Sequence, residues 1–352
     1  MLKINLLSRP ALRRLTMLAI ILSAIVGWVW FAMIRMPGIS YRGQLPSLNQ
    51  QELKLQKALR QDVQKLVSEL QEHNFSSYNN LVAAANFLES SFTNAGYKVK
   101  RQQYQFANRK YDNIEVEIPG TKIPDEIVVI GAHYDSVQDS PGANDNGTGA
   151  AAVLELARAF AGKKTDRTLR FVEFVNEEPP FFQTPDMGSL VYAKRSQKAG
   201  EKIVAMLSLE TMGYYSDKAG TQKYPFPLNL VYPSSGNFIA FIGNIKSGDL
   251  VRKAIASFRR HVEFPSEGAA LPAQIPGVGW SDQWSFWQQG YPGIMVTDTA
   301  PYRYPYYHTA QDTPDKIDFE KLARVVAGLE SVIADLAILE IDEPVEQTRA
   351  EF

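Results

Sequence analysis

Three apolar runs constrain this chain before anything else: EIVVIGAHYD (126–135), TLRFVEFVNEE (168–178) and IVAMLSLETMG (203–213). In the first, consecutive positions are apolar, as in a strand buried on both faces. Between the runs lie GTGAAAVLELARAFAG (147–162) and MGSLVYAKRSQKAG (187–200), both helical in pattern. Strands alternating with helices at this spacing predict an α/β fold with a largely parallel sheet covered on both faces. Each run also ends on a charged or metal-liganding side chain. The first reaches His133 and Asp135, the second Glu177 and Glu178, and the third Glu210. In open α/β sheets, sites form at the carboxyl ends of strands.

The chain opens differently. Between Arg14 and Arg35 lie twenty uncharged residues (15–34), enough to span a bilayer core as one helix. Lys3, Arg9, Arg13 and Arg14 precede it, and Trp28 and Trp30 sit near its far end. The positive-inside rule then keeps residues 1–14 cytoplasmic and exports the rest, to a periplasmic or extracellular space. A cleaved signal peptide would have a shorter apolar core and a small-residue cleavage site, and no clear site is present. A retained single-pass anchor is therefore expected.

Residues 35–50 mix Pro, Gly and polar groups as a linker would. A single domain is expected over 51–345, followed by a tail at 346–352. It opens with two helices across 51–92, interrupted by HNFSSYNN, and continues with strand-like YKVKRQQYQF and DNIEVEIPG. Apolar runs at 228–232, 238–242 and 293–297 predict further strands, and 319–339 a closing helix. Stretches 217–227 and 263–283 are long enough to be functional loops.

With 37 basic against 38 acidic side chains, the chain has no basic field for nucleic acid. It also has no cysteine, so a metal site must be built from His, Asp and Glu. The candidates are His133, Asp145 in GANDNGTG, Glu177, Glu178, Glu210, and His308 in YYHTAQDTPD. Singly, each is an ordinary structural residue, cap or solvated strand end. Jointly, two histidines and three carboxylates supply the ligands of a two-metal site with one bridging carboxylate, and a further acid remains as a base. Successive side chains of an extended segment point opposite ways. One of the adjacent glutamates can therefore face metal while its neighbour faces substrate, and two cations would offset their mutual repulsion. Pro179 and Pro180 end the strand just beyond them.

GAHYDS, GANDNGTGAAAVLELAR, FVNEE, LSLETMGYY and YYHTAQDTPDKI, in this order, resemble the co-catalytic zinc aminopeptidase family that includes aminopeptidase Y. Glutamate carboxypeptidase and glutaminyl cyclase are more distant relatives. The resemblance spans roughly 75–340. It implies a zinc-exopeptidase three-layer sandwich, with a mixed central sheet flanked by helices, and two zinc ions. By position, His133, Asp145 and Glu210 correspond to the ligands of one zinc, while Asp145, Glu178 and His308 correspond to those of the second. Glu177 takes the place of the general base, Asp135 that of the acid orienting His133, and Tyr307 that of a group that holds the oxyanion. The implied reaction is metal-assisted hydrolysis of an N-terminal peptide bond, with Glu177 taking the proton of a zinc-bridging water. The implied substrate is a peptide with a free N-terminus.

SDQWSFW (281–287) resembles the family's Ser-Asp-His-x-x-Phe stretch, with Gln283 replacing the histidine and Asp282 structural or substrate-positioning. Glu210 stands where Asp is frequent, and Pro179, Pro180, Phe181 and Phe182 replace smaller residues, altering the wall beside the metals. A His/carboxylate site also accepts manganese or cobalt. A glutaminyl-cyclase-like acyltransferase and a non-catalytic receptor on the same fold are the alternatives; the six competent positions favour a peptidase. His73 and His261 read as packing or surface residues, and Trp280, Trp284, Phe286 and Trp287 as core. Some of Tyr302, Tyr304, Tyr306 and Tyr307 are expected to line the substrate pocket.

Overall fold

In a computed structural model, which describes residues 9–338, the three apolar runs lie side by side in one sheet. Residues 1–8 of the expected cytoplasmic segment, the end of the expected domain (339–345) and the tail (346–352) lie outside the described residues. Helix α1 (Arg9–Val29) leads through a wider turn at Trp30–Ile34 to α2 (Gln50–Gln64) and α3 (Tyr78–Asn94). There follow β1 (Lys100–Phe106), β2 (Arg109–Ile118), β3 (Ile123–His133), α4 (Thr148–Phe160), β4 (Arg167–Phe174), α5 (Gly188–Lys198) and β5 (Lys202–Glu210). The remainder runs β6 (Ile239–Asn244), α6 (Gly248–His261), β7 (Ser266–Leu271), α7 (Gln283–Gln288), β8 (Ile294–Thr297), α8 (Ala300–Arg303) and α9 (Phe319–Ala337).

The sheet has eight strands in the order β1-β2-β4-β3-β5-β8-β6-β7. Its centre, β4-β3-β5-β8, is parallel, and β6 pairs parallel with β7. The contacts β1-β2, β2-β4 and β6-β8 are antiparallel, so the sheet is mixed. Alternate residues of β3 enter different cores, which explains its unbroken apolar run. Val128, Ile130 and Ala132 join the core that holds α2, α3, α4, α6 and α9. Ile127 and Val129 join Val172 and Phe174 against Tyr192, Ala193 and Phe286 of α5 and α7. Both faces being covered, the central strands have no solvent side on which to place polar residues.

Helix α2 begins as its sequence prescribes. Asn49 Oδ1 accepts the amides of Gln51 and Glu52, each at 2.9 Å, and Glu52 Oε2 accepts the Asn49 amide at 2.8 Å, a reciprocal cap. The preceding residues, expected as a linker, form neither helix nor strand and run along the domain. Arg259 Nη1 donates to Pro37 O at 2.9 Å, the Ser266 amide donates to Ser40 Oγ at 3.0 Å, and Arg324 Nη2 donates to Pro46 O.

Three expectations are corrected. The run 228–232 is a short helical turn at Leu228–Leu230 rather than a strand, because prolines at 225, 227 and 233 bracket it and remove ladder donors. The stretch 263–283 contains β7, whose sequence SEGAAL lacks the β-branched residues that signal a strand. Small residues are needed there, since a Cβ on Gly268 would stand 2.9 Å from Ile255 Cδ1 and 3.0 Å from Met36 Cγ. Of the expected core aromatics, Phe286 is fully buried, but Trp280 is 45% exposed and lines a cavity. His73 is buried in packing and His261 lies at the surface.

Gly149 sets the approach of α4 to β5: a Cβ there would lie 2.3 Å from Leu209 O and 2.4 Å from Asn146 Oδ1. Gly149→Val is expected to destabilise the domain by about 1–3 kcal/mol or more through this overpacking, read as a lowered denaturation midpoint.

Candidate metal centre

His133 is the last residue of β3, Glu210 the last of β5, and Glu177 and Glu178 follow β4 by three and four residues. Because β4, β3 and β5 are parallel neighbours, their carboxyl ends arrive at one edge. Asp145 comes from the turn before α4, and His308 from the loop after α8.

The bends that aim these groups are tight. Asn176 (φ 59°), Thr211 (φ 42°) and His308 (φ 56°) adopt left-handed conformations at or next to candidate ligands, and for β-branched Thr211 this is a strained one. Hydrogen bonds hold them. Asp135 accepts the amides of Glu177 and Glu178 at 3.0 and 3.1 Å, so its carboxylate clasps the glutamate pair. Its main-chain carbonyl accepts from His133 Nδ1 at 3.0 Å, with the carboxylate 3.8 Å away. Asn146 Oδ1 accepts the Thr211 amide at 3.0 Å and the Gly149 amide at 3.1 Å, tying the Asp145 turn to the end of β5.

The geometry centres on Asp145. Its Oδ1 lies 3.4 Å from His133 Nε2, and its Oδ2 lies 3.0 Å from His308 Nε2. Glu210 Oε2 is 3.3 Å from His133 Nε2, and Glu178 Oε1 is 3.4 Å from His308 Nε2. Two donor groups result, His133-Asp145-Glu210 and Asp145-Glu178-His308. Tetrahedral ligand atoms at roughly 2.1 Å from an ion stand about 3.4 Å apart, so both groups have the spacing of a metal's ligands. Asp145 Oδ2 and Glu178 Oε1 are buried and accept no hydrogen bond among the described residues, a state that a cation would relieve. The donors, all imidazole and carboxylate, suit zinc.

Electrostatics point the same way. Burial pushes the Glu177 carboxyl well above the usual range; His133 opposes this, while Glu178 and Glu210 add to it. Glu178 is pushed up to about 7 by burial and then by Asp145, against His308. Burial disfavours a charged His308, yet Asp145 and Glu178 outweigh it and raise it to about 10. Burial would likewise raise Asp145, but two imidazoles hold it below the ordinary carboxylate range. Two imidazoles thus face four acids, and positive charge is what the cluster lacks.

Two cavities meet here. One, of about 300 Å³, is lined by Asp145, Glu177, Glu178, Pro179, Phe182, Glu210, Trp280, Tyr307 and His308. The other, of about 90 Å³, is walled by apolar residues such as Leu228, Tyr232, Ala269 and Val278, and shares Glu210, Trp280 and Tyr307 with the first. The Tyr307 ring stacks on His308 at 3.9 Å. Burial, then Asp145, raise the Tyr307 phenol far above its ordinary value, leaving it a hydrogen-bond donor. Tyr302 lines the apolar cavity, whereas Tyr304 is buried. Phe182 lies in the cavity wall, whereas Phe181 is buried against Phe75, Phe106 and Tyr111. Asp282 is fully buried, and neither of its oxygens accepts a hydrogen bond among the described residues.

Sequence reasoning missed two supporting residues. Asp312 accepts the amides of Asn144 and Asp145 at 2.8 and 3.1 Å and the Tyr304 hydroxyl at 2.6 Å, so it shapes the Asp145 turn. Ser281 Oγ donates to Glu210 Oε2 at 2.6 Å. Both lie inside stretches already singled out, QDTPD and SDQWSFW, where their residue types alone mark nothing.

The family model described as Peptidase family M28 matches residues 113–333. The "Uncharacterized protein YfbL" of Escherichia coli (strain K12) is 34% identical over 280 residues, 77% of this chain and 85% of that one. A "Probable leucine aminopeptidase" of Arthroderma otae is 27% identical over 257 residues, 68% of this chain; the match spans only 60% of the fungal protein's length. Among solved structures, BSAP, a zinc aminopeptidase from Bacillus subtilis, shares the fold with a TM-score of 0.65 at 15% identity, covering 85% of this chain and 97% of that one. A Fimbriiglobus ruber glutaminyl cyclase shares it with a TM-score of 0.58 at 19% identity, covering 84% and 98%.

Asp312→Asn keeps the side chain's size but sets an amide N–H against a main-chain donor of the Asp145 turn. Zinc affinity, measured by competition with a chromogenic chelator, is expected to fall about 10–100-fold, as for other partners that orient ligands.

Proposed function

The chain belongs to peptidase family M28 and is a hydrolase, and from this premise we propose that it is a membrane-anchored, exported aminopeptidase using two zinc ions. The observation that carries the reading is Asp145, whose two oxygens face different histidines, each pair joined by a further glutamate. In this reading His133, Asp145 and Glu210 hold one ion, while Asp145, Glu178 and His308 hold the other. Bound there, the ions polarise a peptide carbonyl and lower the pKa of water.

The remaining work falls to the chain. Glu177 lines the cavity with its carboxylate 3.9 Å from His133 Nε2, next to the ligands but outside both donor groups. It takes the proton of the attacking water and returns it to the leaving amine. The Tyr307 hydroxyl donates to the oxyanion that develops on the carbonyl. Asp135 acts through others: it clasps the Glu177 and Glu178 amides and carries the carbonyl that holds the His133 ring. The apolar cavity beside the cluster offers an apolar wall for the substrate's N-terminal side chain.

The anchor is the 25-residue apolar helix Pro10–Ile34, almost wholly unburied by the rest of the chain. Retained as a single span with a cytoplasmic N-terminus, it leaves the catalytic domain outside the cytoplasm.

Glu177→Gln is expected to leave both zinc ions bound and to lower kcat by about 10²–10⁴-fold on a panel of peptides with free N-termini. Metal analysis together with release of free amino acids checks this, and near-normal turnover would remove Glu177 from its role. Glu178→Ala is expected to bring zinc down from two ions per chain to one. On the wild type, cyclisation of N-terminal glutamine without amino acid release would favour the cyclase instead.

A further inference from the structure

The outward side chains of the loop Tyr224–Pro233, YPFPLNLVYP, have no use in the chemistry above, and their composition is unusual for a surface. No charged residue occurs between Lys223 and Lys246. Phe226 is 82% exposed, Leu230 73% and Val231 42%. Apolar side chains this exposed within one ten-residue loop point to an interaction site rather than a face turned to water.

Its neighbours identify the partner. Leu228 and Tyr232, on the inner side of the loop, pack in one cluster with Val29, Ala32, Met33 and Ile34, the last turns of the apolar N-terminal helix. That helix end is docked firmly. Met33 is buried against Ala269, Leu271 and Val278, and Arg252 Nη1 donates to Ala32 O at 3.0 Å. The helix therefore meets the domain without a free stalk, and the loop lies where it emerges. The same Leu228 and Tyr232, with Tyr224, wall the apolar cavity beside the metal cluster.

We infer that Phe226, Leu230 and Val231 are a second membrane contact, seated in the surface of the bilayer that the N-terminal helix crosses. Together the two contacts fix the orientation of the domain and set the apolar cavity against the lipid surface. The substrate class this favours is peptides whose apolar N-terminal residues lie at the membrane, rather than freely dissolved ones. The inference rests on the anchor reading of the N-terminal helix, and the test separates the two.

The chain has no cysteine, so Leu18→Cys, Phe226→Cys, Leu230→Cys and Asp125→Cys each give one labelling site in the full-length protein. Each is labelled with a fluorophore and reconstituted in vesicles of phosphatidylethanolamine and phosphatidylglycerol carrying nitroxide lipids. Quenching at positions 18, 226 and 230 but not at 125 is expected. Quenching at 18 alone overturns the second contact and leaves the anchor standing. No quenching at 18 overturns the anchor and the inference with it.

A double variant, Phe226→Ser with Leu230→Ser, reads the consequence. Neither residue lines the cavities, so cleavage of a soluble dipeptide is expected to be unchanged. Cleavage of a peptide held on vesicles by a C-terminal acyl chain is expected to fall about tenfold, as apolar area at the interface is lost. Equal rates on both substrates would overturn the substrate preference.

Discussion

Four carboxyl groups, on Asp145, Glu177, Glu178 and Glu210, are buried within reach of two imidazoles, and the rest of the architecture is arranged around that charge imbalance. Left alone, such a group of acids would surrender charge by taking up protons, as burial drives Glu177 and Glu178 to do. The backbone takes uncommon conformations to keep them together, strained at Thr211. Left-handed residues occur just before the glutamate pair, just after Glu210 and at His308 itself, and the pair is held by a further buried acid, Asp135. A fold that only needed stability would replace these groups with apolar ones.

The parallel centre of the sheet makes the gathering possible. Neighbouring parallel strands end on the same side, so three chain segments well apart in sequence deliver His133, the glutamate pair and Glu210 to one edge without long excursions. Helices on both faces leave the central strands no polar side. The groups that form the site therefore sit at strand ends, although β4 also carries a buried Arg170 at its middle, paired with Glu117 and Glu201. At the far end of the sheet, β7 would be an open edge, and the docked N-terminal segment covers it through Met33, Met36 and Ser40. The segment that shields the sheet edge is thus the one that ties the domain to the apolar helix.

Much of this was legible in the residues. Unbroken apolar runs announced buried strands, and β3 shows why: its alternate residues enter two different cores. The order of His133, Asp145, the glutamate pair and Glu210 was readable because each stands beside a strong local signal, either a strand end or a helix start, whereas His308 lies in a loop and was marked only by the motif YYHTAQDTPD. The failures have equally local causes. SEGAAL carries no strand signal because Met36 and Ile255 crowd it and small residues are required. LNLVY carries a false one because apolar content alone does not reveal that flanking prolines forbid a ladder. Trp280 fell at helical spacing with Trp284 and Trp287, yet it precedes α7 and faces the cavity.

What the sequence determined by itself is the chemistry available: imidazoles and carboxylates with no thiol, their order along the chain, the strands they terminate and an apolar helix ahead of them. These are properties of residues and their near neighbours, so they can be read in one dimension. Only the tertiary structure decided that the two oxygens of Asp145 face different histidines, that Asp312 holds the amides of Asn144 and Asp145, and that Leu228 and Tyr232, which wall the apolar cavity, share one cluster with the end of the N-terminal helix. Each of these is a meeting of segments distant in sequence, 168 residues in the case of Asp312 and Asn144. No local periodicity encodes such a meeting, because its geometry exists only once the sheet has brought the loops to the same edge.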